Sequence, residues 1–169
     1  MQETHSKIFF SKHTDREPAG SIKPILIADN FSTPENIGHL IRLAANVGAL
    51  KVVVLDSENL RKSKIKKTAG TAIDHIPLVF STFENLKEQI PDDYTLTVLE
   101  TAEGAKNIFS TKLPDKMALI LGNEKHGVRE ELLDISRVKI FIPMPGTVKS
   151  MNVSHAAAVC LFQWLGGHQ

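Results

Sequence analysis

Two short apolar runs on either side of one amphipathic segment constrain the fold of this chain more than any other feature. The first run is residues 24–29 (PILIAD) and the second is residues 51–56 (KVVVLD). Continuous runs of this length are typical of strands covered on both faces, as in a parallel sheet. Between them, Thr33 and Pro34 predict the N-cap and first position of a helix that Gly48 ends. The whole segment therefore predicts a strand–helix–strand unit with parallel strands.

Further runs continue the same alternation. Three predict buried strands and two predict helices: residues 95–99, 117–121 and 138–142 as strands, and residues 81–89 and 128–136 as helices. The pattern predicts an α/β fold with a mostly parallel sheet and helices on both faces. We expect one domain over residues 21–169, and an arm over residues 1–20 that is poorly ordered or forms a short helix.

The last predicted helix, from Val153 to Leu165, is apolar on nearly all sides. One face carries Val153, Ala156, Ala157, Cys160, Leu161 and Trp164, and a second carries Ala158, Val159, Phe162 and Leu165. A helix of this kind is buried within its own chain or covered by a second subunit. We expect the second arrangement, a homodimer through this helix.

Composition and charge exclude several classes of protein. The chain has 20 Lys and Arg against 19 Asp and Glu, so its net charge of +1 excludes a histone-like polycation. The longest apolar run, residues 156–162, is far shorter than the roughly 18 residues of a membrane span. The single cysteine excludes an intrachain disulfide and a C-x-x-C metal or redox motif. We expect a cytoplasmic protein with no membrane contact and no metal.

Candidate site residues follow the predicted strands, at the edge where α/β proteins bind ligands. The Rossmann glycine fingerprint and the phosphate loop of nucleoside triphosphatases are absent, which disfavours both ligand classes. The first turn instead places Asn30, Ser32, Thr33 and Asn36 around a helix N-terminus that suits an anion. Residues 61–67 hold five cations in seven positions and are either a solvated face or a footprint for phosphates.

Three segments, taken in order, resemble the motifs of the SpoU/TrmH family of RNA 2′-O-ribose methyltransferases, in the SPOUT superfamily. They are Asn30-x5-Asn36-Ile37-Gly38-x3-Arg42, Leu121-Gly122-Asn123-Glu124-x2-Gly127, and Ile142-Pro143-Met144-x-Gly146-x3-Ser150-Met151-Asn152-Val153-Ser154. The resemblance runs from about Ile22 to Leu165. It implies a C-terminal trefoil knot, S-adenosyl-L-methionine as cofactor, an RNA substrate and a homodimer.

The resemblance also implies residue roles. The implied catalytic residues are Arg42, Asn36, Ser150, Asn152 and Glu124. The implied cofactor contacts are Thr101, Leu121, Gly122, Ile142, Met144, Ser150 and Met151. The implied RNA contacts are Asn30 and Arg42, to which we add the basic run with Arg61, Lys62, Lys64, Lys66 and Lys67.

Several alternatives stay open at this stage. Arg42 is either a general base or a charged group that positions the substrate, because a guanidinium is ordinarily always protonated. Glu124 either holds Lys125 or backbone groups of the knot, or orients Asn36. The substrate is tRNA or rRNA, and the lack of a separate N-terminal RNA-binding domain slightly favours tRNA. The competing functions are a non-catalytic RNA-binding or ribosome-assembly module on the same fold and a SPOUT base methyltransferase.

Overall fold

A computed structural model describes residues 5–13, 22–57 and 60–167 of the chain. Seven strands form one sheet in the order β3-β2-β1-β6-β4-β7-β5. The strands are β1 Ile25–Asp29, β2 Lys51–Leu55, β3 Leu78–Ser81, β4 Thr95–Leu99, β5 Lys106–Asn107, β6 Met117–Leu121 and β7 Val138–Phe141. The helices are α1 His5–His13, α2 Pro34–Asn46, α3 Lys62–Ala69, α4 Leu86–Gln89, α5 Glu130–Ile135 and α6 Val153–Gly166. Short 3₁₀ turns follow α3 and β5.

Every pairing in the sheet is parallel, and apolar side chains cover both of its faces. Along β1, Leu26 and Ala28 pack into the core formed with α2, α3 and α6. Ile25 and Ile27 pack into a second core, to which α4 and α5 contribute. The predicted α/β fold with a parallel sheet and helices on both faces is therefore confirmed.

Strands β1, β2, β4, β6 and β7 were predicted within one residue, and so was α2. Pro34 is the first residue of α2, and Gly48 adopts a φ of +66° just after its end, as the sequence indicates. Strand β3, strand β5 and helix α3 were not predicted.

Two predicted helices are wrong in extent. Residues 81–89 are helical only from Leu86 to Gln89, because Ser81 ends β3, a strand paired with β2. Residues 128–136 are helical only from Glu130 to Ile135. The helix begins later than predicted because its N-cap, Arg129, is extended with a ψ of 151°, and the N–H groups of Val128 and Arg129 donate to the carboxylates of Glu100 and Asp29.

Helix α6 is covered on only one of its two apolar faces within the chain. Ala157, Cys160, Leu161 and Trp164 are buried, and the Trp164 indole Nε1 donates to the carbonyl of Pro114 at 2.9 Å. On the other face, the side chain of Phe162 is 52% exposed. Burial of the whole helix within one chain is therefore wrong, and coverage by a second subunit stays a prediction.

Part of the predicted N-terminal arm can be compared with the structure. His5–His13 forms a helix, which is one of the two arrangements expected, and residues 14–21 lie outside the described residues. In the part of the chain that the structure describes, no helix has the length and apolar character needed to cross a membrane.

Close contact between α2 and α3 depends on Gly38. A Cβ added at Gly38 would lie 2.5 Å from the Thr68 Cβ and 2.9 Å from the carbonyl oxygen of Ile65. The second neighbour is backbone and cannot rotate away, so any larger residue forces the two helices apart.

We expect Gly38→Ala to lower the free energy of unfolding by about 1–3 kcal/mol, measured by urea denaturation. Gly166→Ala is the matched control, because a Cβ at Gly166 meets no atom within 4 Å. It should change stability by less than about 1 kcal/mol. Equal stability of Gly38→Ala and the wild type would contradict the packing described here.

Candidate functional site

The site lies where the carboxyl ends of four neighbouring strands meet. Strands β1, β6, β4 and β7 are adjacent in the sheet, so the loops that follow them share one edge. A cavity of about 470 Å³ opens between the loops after β4, β6 and β7. All of the predicted cofactor contacts line it: Thr101, Leu121, Gly122, Ile142, Met144, Ser150 and Met151.

The loop after β6 is held in a tight turn. Asn123 N–H donates to the Gly127 carbonyl at 3.0 Å, and Gly127 N–H donates back at 2.9 Å. The Asn123 side-chain oxygen accepts from the N–H groups of Lys125 and His126. A Cβ at Gly122 would collide with the backbone of Gly127 and Val128, so only glycine allows this closure beside the cavity.

Glu124 caps the N-terminus of α2 from a distant part of the sequence. Its carboxylate accepts the backbone N–H groups of Ser32 and Thr33, both at 3.0 Å, and the Ser32 hydroxyl at 2.9 Å. It also accepts the side-chain amide of Asn36 at 2.8 Å. Of the roles considered for Glu124, the structure shows the contact that orients Asn36, and the backbone groups that the carboxylate binds belong to the start of α2 and not to the C-terminal loop.

These contacts keep Glu124 ionised. Burial raises the pKa of the carboxyl group, but the hydrogen bonds from Ser32 and Asn36 outweigh it and lower the pKa from 4.5 to about 2. The positive end of the α2 dipole favours the same charge state. A group with so low a pKa is a positioning carboxylate and not a proton donor near neutral pH.

A chain of side-chain hydrogen bonds joins the three sequence motifs. The Asn36 side-chain oxygen accepts from the Asn152 amide at 3.2 Å. The Asn152 oxygen accepts from the backbone N–H of Ser154 at 2.8 Å and from its hydroxyl at 2.6 Å, and thereby caps α6. Glu124, Asn36 and Asn152 thus form one network between the ends of β6, α2 and α6. Ser150 lies on the cavity wall nearby.

Arg42 is not among the residues that line the cavity. It is exposed on α2, and its Nη1 lies 3.4 Å from the position that a Cβ of Gly70 would take. Among the described residues its guanidinium has no ion-pair partner. The structure therefore leaves this charge available to an external anion, away from the cavity wall.

The remaining predicted RNA contacts lie on or beside α3, except Asn30. Asn30 follows β1 with a φ of +49°, and its carbonyl accepts the Asn123 side-chain amide. Lys64 pairs with Glu35 at 3.0 Å on the surface, where such pairs exchange readily with solvent. Arg61, Lys66 and Lys67 are exposed and form no ion pair within the described part of the chain.

Sequence reasoning missed Glu100, which also lines the cavity. Its carboxylate accepts the Thr101 N–H at 2.8 Å and the Val128 N–H at 3.2 Å, so it joins the loops after β4 and β6. Its position immediately after a buried strand is a signal that could have identified it. Lys149 was also missed; it lines the cavity and donates to the Met144 carbonyl at 2.7 Å.

Arg129 was missed as well, and it fixes the strand ends beside the site. Its Nε donates to the nearly fully buried Asp29 at 2.7 Å, and its Nη1 lies 2.8 Å from Asp56. Asp29 ends β1 and Asp56 follows β2, so one guanidinium ties both strand ends to the start of α5. The guanidinium also stacks on the ring of Phe83, 5.3 Å from its centroid.

Comparison with known proteins shows that the chain is similar in sequence to proteins named as RNA methyltransferases. The model of the SpoU rRNA methylase family matches residues 23–162. The 23S rRNA (guanosine-2′-O-)-methyltransferase RlmB of Xylella fastidiosa is 33% identical over 150 residues, which cover 87% of this chain and 60% of the relative. RlmB of Haemophilus influenzae is 34% identical over 144 residues, which cover 82% of this chain and 58% of that protein. The chain thus spans about three fifths of the length of these relatives.

Solved structures share the fold. The SpoU methyltransferase AviRb of Streptomyces viridochromogenes, in complex with AdoMet, superposes with a TM-score of 0.78 at 21% identity, over 90% of this chain and 60% of that one. A structure that concerns 2-OH methylation of C/U34 on tRNA superposes with a TM-score of 0.77 at 24% identity, over 89% of this chain and 99% of that one.

We expect Glu124→Gln to lower the free energy of unfolding near neutral pH by about 1–2 kcal/mol, because α2 loses a charged cap. The pKa of Glu124 is lower in the folded state than the ordinary 4.5, so its contribution is complete above about pH 4.5 and is lost as the pH falls toward 2. Urea denaturation of both proteins across this range measures the difference. A difference that grows toward low pH would contradict the assignment.

Proposed function

This chain belongs to the SpoU rRNA methylase family, and from that premise we propose that it methylates a ribose 2′-oxygen of RNA with S-adenosylmethionine as the methyl donor. The observation that carries the proposal is the convergence of three distant motifs. The second and third motifs line one cavity, and hydrogen bonds from Asn36 to Glu124 and Asn152 join the first motif to both of them. A merely structural role for these motifs would not require a cavity between them.

The cavity suits an adenosyl group. Leu121, Ile142, Met144 and Met151 provide apolar walls for a flat purine, and the loop backbones beside Gly122 provide polar groups at its edge. When bound, S-adenosylmethionine supplies an electrophilic methyl group on a sulfonium. This chain's own residues then have to hold the cofactor and keep the 2′-oxygen in line with that methyl group, and such positioning supplies roughly 7–11 kcal/mol of a barrier.

We assign Arg42 to the RNA side of the reaction. Its exposed guanidinium has no carboxylate partner among the residues described, so it is suited to a phosphate next to the target ribose. There a protonated Arg42 stabilises negative charge on the 2′-oxygen while solvent accepts the proton. The alternative is a neutral Arg42 that accepts the proton itself as general base. Asn36 and Asn152 are held rigidly by Glu124 and the start of α6, and they order the loop that carries Ser150.

The class of RNA is a separate part of the proposal. The curated relatives named above are 23S rRNA methyltransferases, and their names favour ribosomal RNA over the tRNA that the sequence slightly favoured. The structural neighbour covered over 99% of its length concerns tRNA and supports the other class. We propose rRNA as the first substrate to test, with tRNA in parallel.

Two further properties belong to the same proposal. We propose that the segment between β7 and α6 threads through the preceding loop as a trefoil knot, supported by the contact of Asn152 with Asn36 and by the similarity to SpoU structures. A crystallographic chain trace tests it.

We also propose a homodimer, supported by the uncovered apolar face of α6 around Phe162.

We expect Arg42→Ala to lower methyl transfer to RNA by at least about 100-fold while cofactor binding is unchanged, because Arg42 lies off the cavity wall. The assay follows labelled methyl from S-adenosylmethionine into rRNA and tRNA from cells that lack this protein, with nucleoside analysis of the product. Arg137→Ala, at another exposed arginine, is the control and should keep full activity.

The methyl-transfer assay also distinguishes the proposed reaction from base methylation and from a non-catalytic RNA-binding module. Label in a 2′-O-methyl nucleoside establishes the proposed reaction, whereas label in a base assigns the chain to base methylation. Cofactor binding without transfer to either RNA supports the non-catalytic module. The pH–rate profiles of the wild type and Arg42→Lys distinguish the two roles of residue 42. If the residue is a general base, the substitution moves the profile along the pH axis; if it is a fixed positive charge, the rate changes and the profile keeps its position.

We expect Phe162→Asp to convert a dimer to monomers in sedimentation analysis, because a charge in an apolar interface is not compensated. Ile135→Asp is the control, since Ile135 is 52% exposed on α5, which covers the opposite face of the sheet from α6. A wild-type protein that sediments as a monomer and still methylates RNA contradicts the homodimer.

A further inference from the structure

An exposed aromatic side chain stands at one edge of the sheet. Strand β3 is the last in the order, and within the described chain it pairs only with β2. Its Phe80 is 42% exposed. Phe80 is in register with Val54, whose side chain belongs to the core that α3 covers. Neighbours in register point to the same face of a sheet, so the Phe80 ring lies on the α3 side, just beyond that helix.

The first residue of α3 reaches this ring. The ammonium of Lys62 lies 5.4 Å from the centroid of Phe80. Only Ile65 and Ala69 of α3 are buried, and all four lysines of the helix are exposed. Of these four lysines, only Lys64 has an acidic partner among the described residues. An aromatic ring within a field of unpaired cations is an arrangement that recurs in proteins that bind single-stranded nucleic acid.

We propose that Phe80 stacks against an unpaired base of the RNA substrate, and that Arg61 and Lys62 bind the adjoining phosphates. The inference rests on the proposed function, since it names an RNA contact of the same protein. Every base has an apolar face that stacks on an aromatic ring, so the contact selects for unpaired structure and not for sequence. On binding, the base covers the ring and the Lys62 ammonium turns to a phosphate.

The separation of Phe80 and Arg42 indicates which nucleotide of the RNA stacks on Phe80. Lys62 is at the start of α3, and Gly70, beside which Arg42 lies, follows its end. Eight helical residues span about 12 Å. A stacked strand advances about 3.4 Å per nucleotide, so the base on Phe80 is roughly three or four nucleotides from the one that Arg42 contacts.

The test compares Phe80→Leu with the control Phe109→Leu in the full chain. Phe109 is 55% exposed, against 42% for Phe80, and it follows β5, at the opposite edge of the sheet. Binding is measured by fluorescence anisotropy with a short labelled RNA that has no self-complementarity, and with the same RNA annealed to its complement. We expect Phe80→Leu to weaken binding of the single strand by roughly 5- to 100-fold and to leave the duplex unaffected. Phe109→Leu should bind both RNAs as the wild type does.

Phe80→Trp gives a second, direct readout. Trp164, the one native tryptophan, is buried, so emission that the single strand quenches in this variant and not in the wild type reports a base on residue 80. The inference is overturned if Phe80→Leu binds the single-stranded RNA as tightly as the wild type does. It is also overturned if the single strand does not quench the emission of Phe80→Trp. A change in sedimentation of Phe80→Leu without a change in RNA binding also overturns it, because it assigns the ring to a protein contact.

The methyl-transfer assay keeps this inference separate from the proposed function. If no RNA is methylated but binding depends on Phe80, the stacking contact stands and the proposed activity fails. If methylation is observed and Phe80→Leu binds and methylates RNA as the wild type does, the activity stands and the stacking contact fails.

Discussion

The carboxylate of Glu124 is the interaction on which the candidate site depends. It satisfies backbone N–H groups that α2 would otherwise leave open, and it does so from the loop after β6, about ninety residues later in the sequence. The same group fixes Asn36, which in turn holds Asn152 at the start of α6. Three segments with no local reason to meet are thereby held at one edge of the sheet, because an unpaired charge or N–H group there would be costly.

Much of the fold was accessible from sequence because its central strands are buried on both faces. Strands β1, β2 and β6 are nearly continuous apolar runs, and β4 and β7 are apolar where they are buried, so all five were predicted within one residue. Strand β3 was missed for the opposite reason. It is half-exposed at the edge of the sheet and only four residues long, so its pattern does not stand out from a loop. Helix α3 was missed because five of its eight residues are exposed and only Ile65 and Ala69 are buried, which leaves a short apolar stripe.

The residues of the candidate site likewise fall into some that the sequence identifies and some that it does not. Motifs at strand ends identified the cavity walls, since a glycine that admits no Cβ and a polar residue at a helix start have local signatures. The partners of those residues do not. Glu100 and Arg129 act through contacts with groups far away in the sequence, and no spacing rule connects Arg129 with Asp29. Nor does the sequence reveal that Arg42 stands apart from the cavity, because this depends on how α2 lies across the sheet.

The order of the strands has a consequence for how the chain is made. Strand β6 lies between β1 and β4, yet it is nearly the last long strand to leave the ribosome. Until residue 121 has emerged, the nascent chain can form only the ribbon β3-β2-β1, with the backbone groups of β1 unpaired along one side. An open edge of this kind pairs readily with other chains. Closure of the sheet is therefore a late, long-range event, and the half-made protein needs protection that the finished one does not.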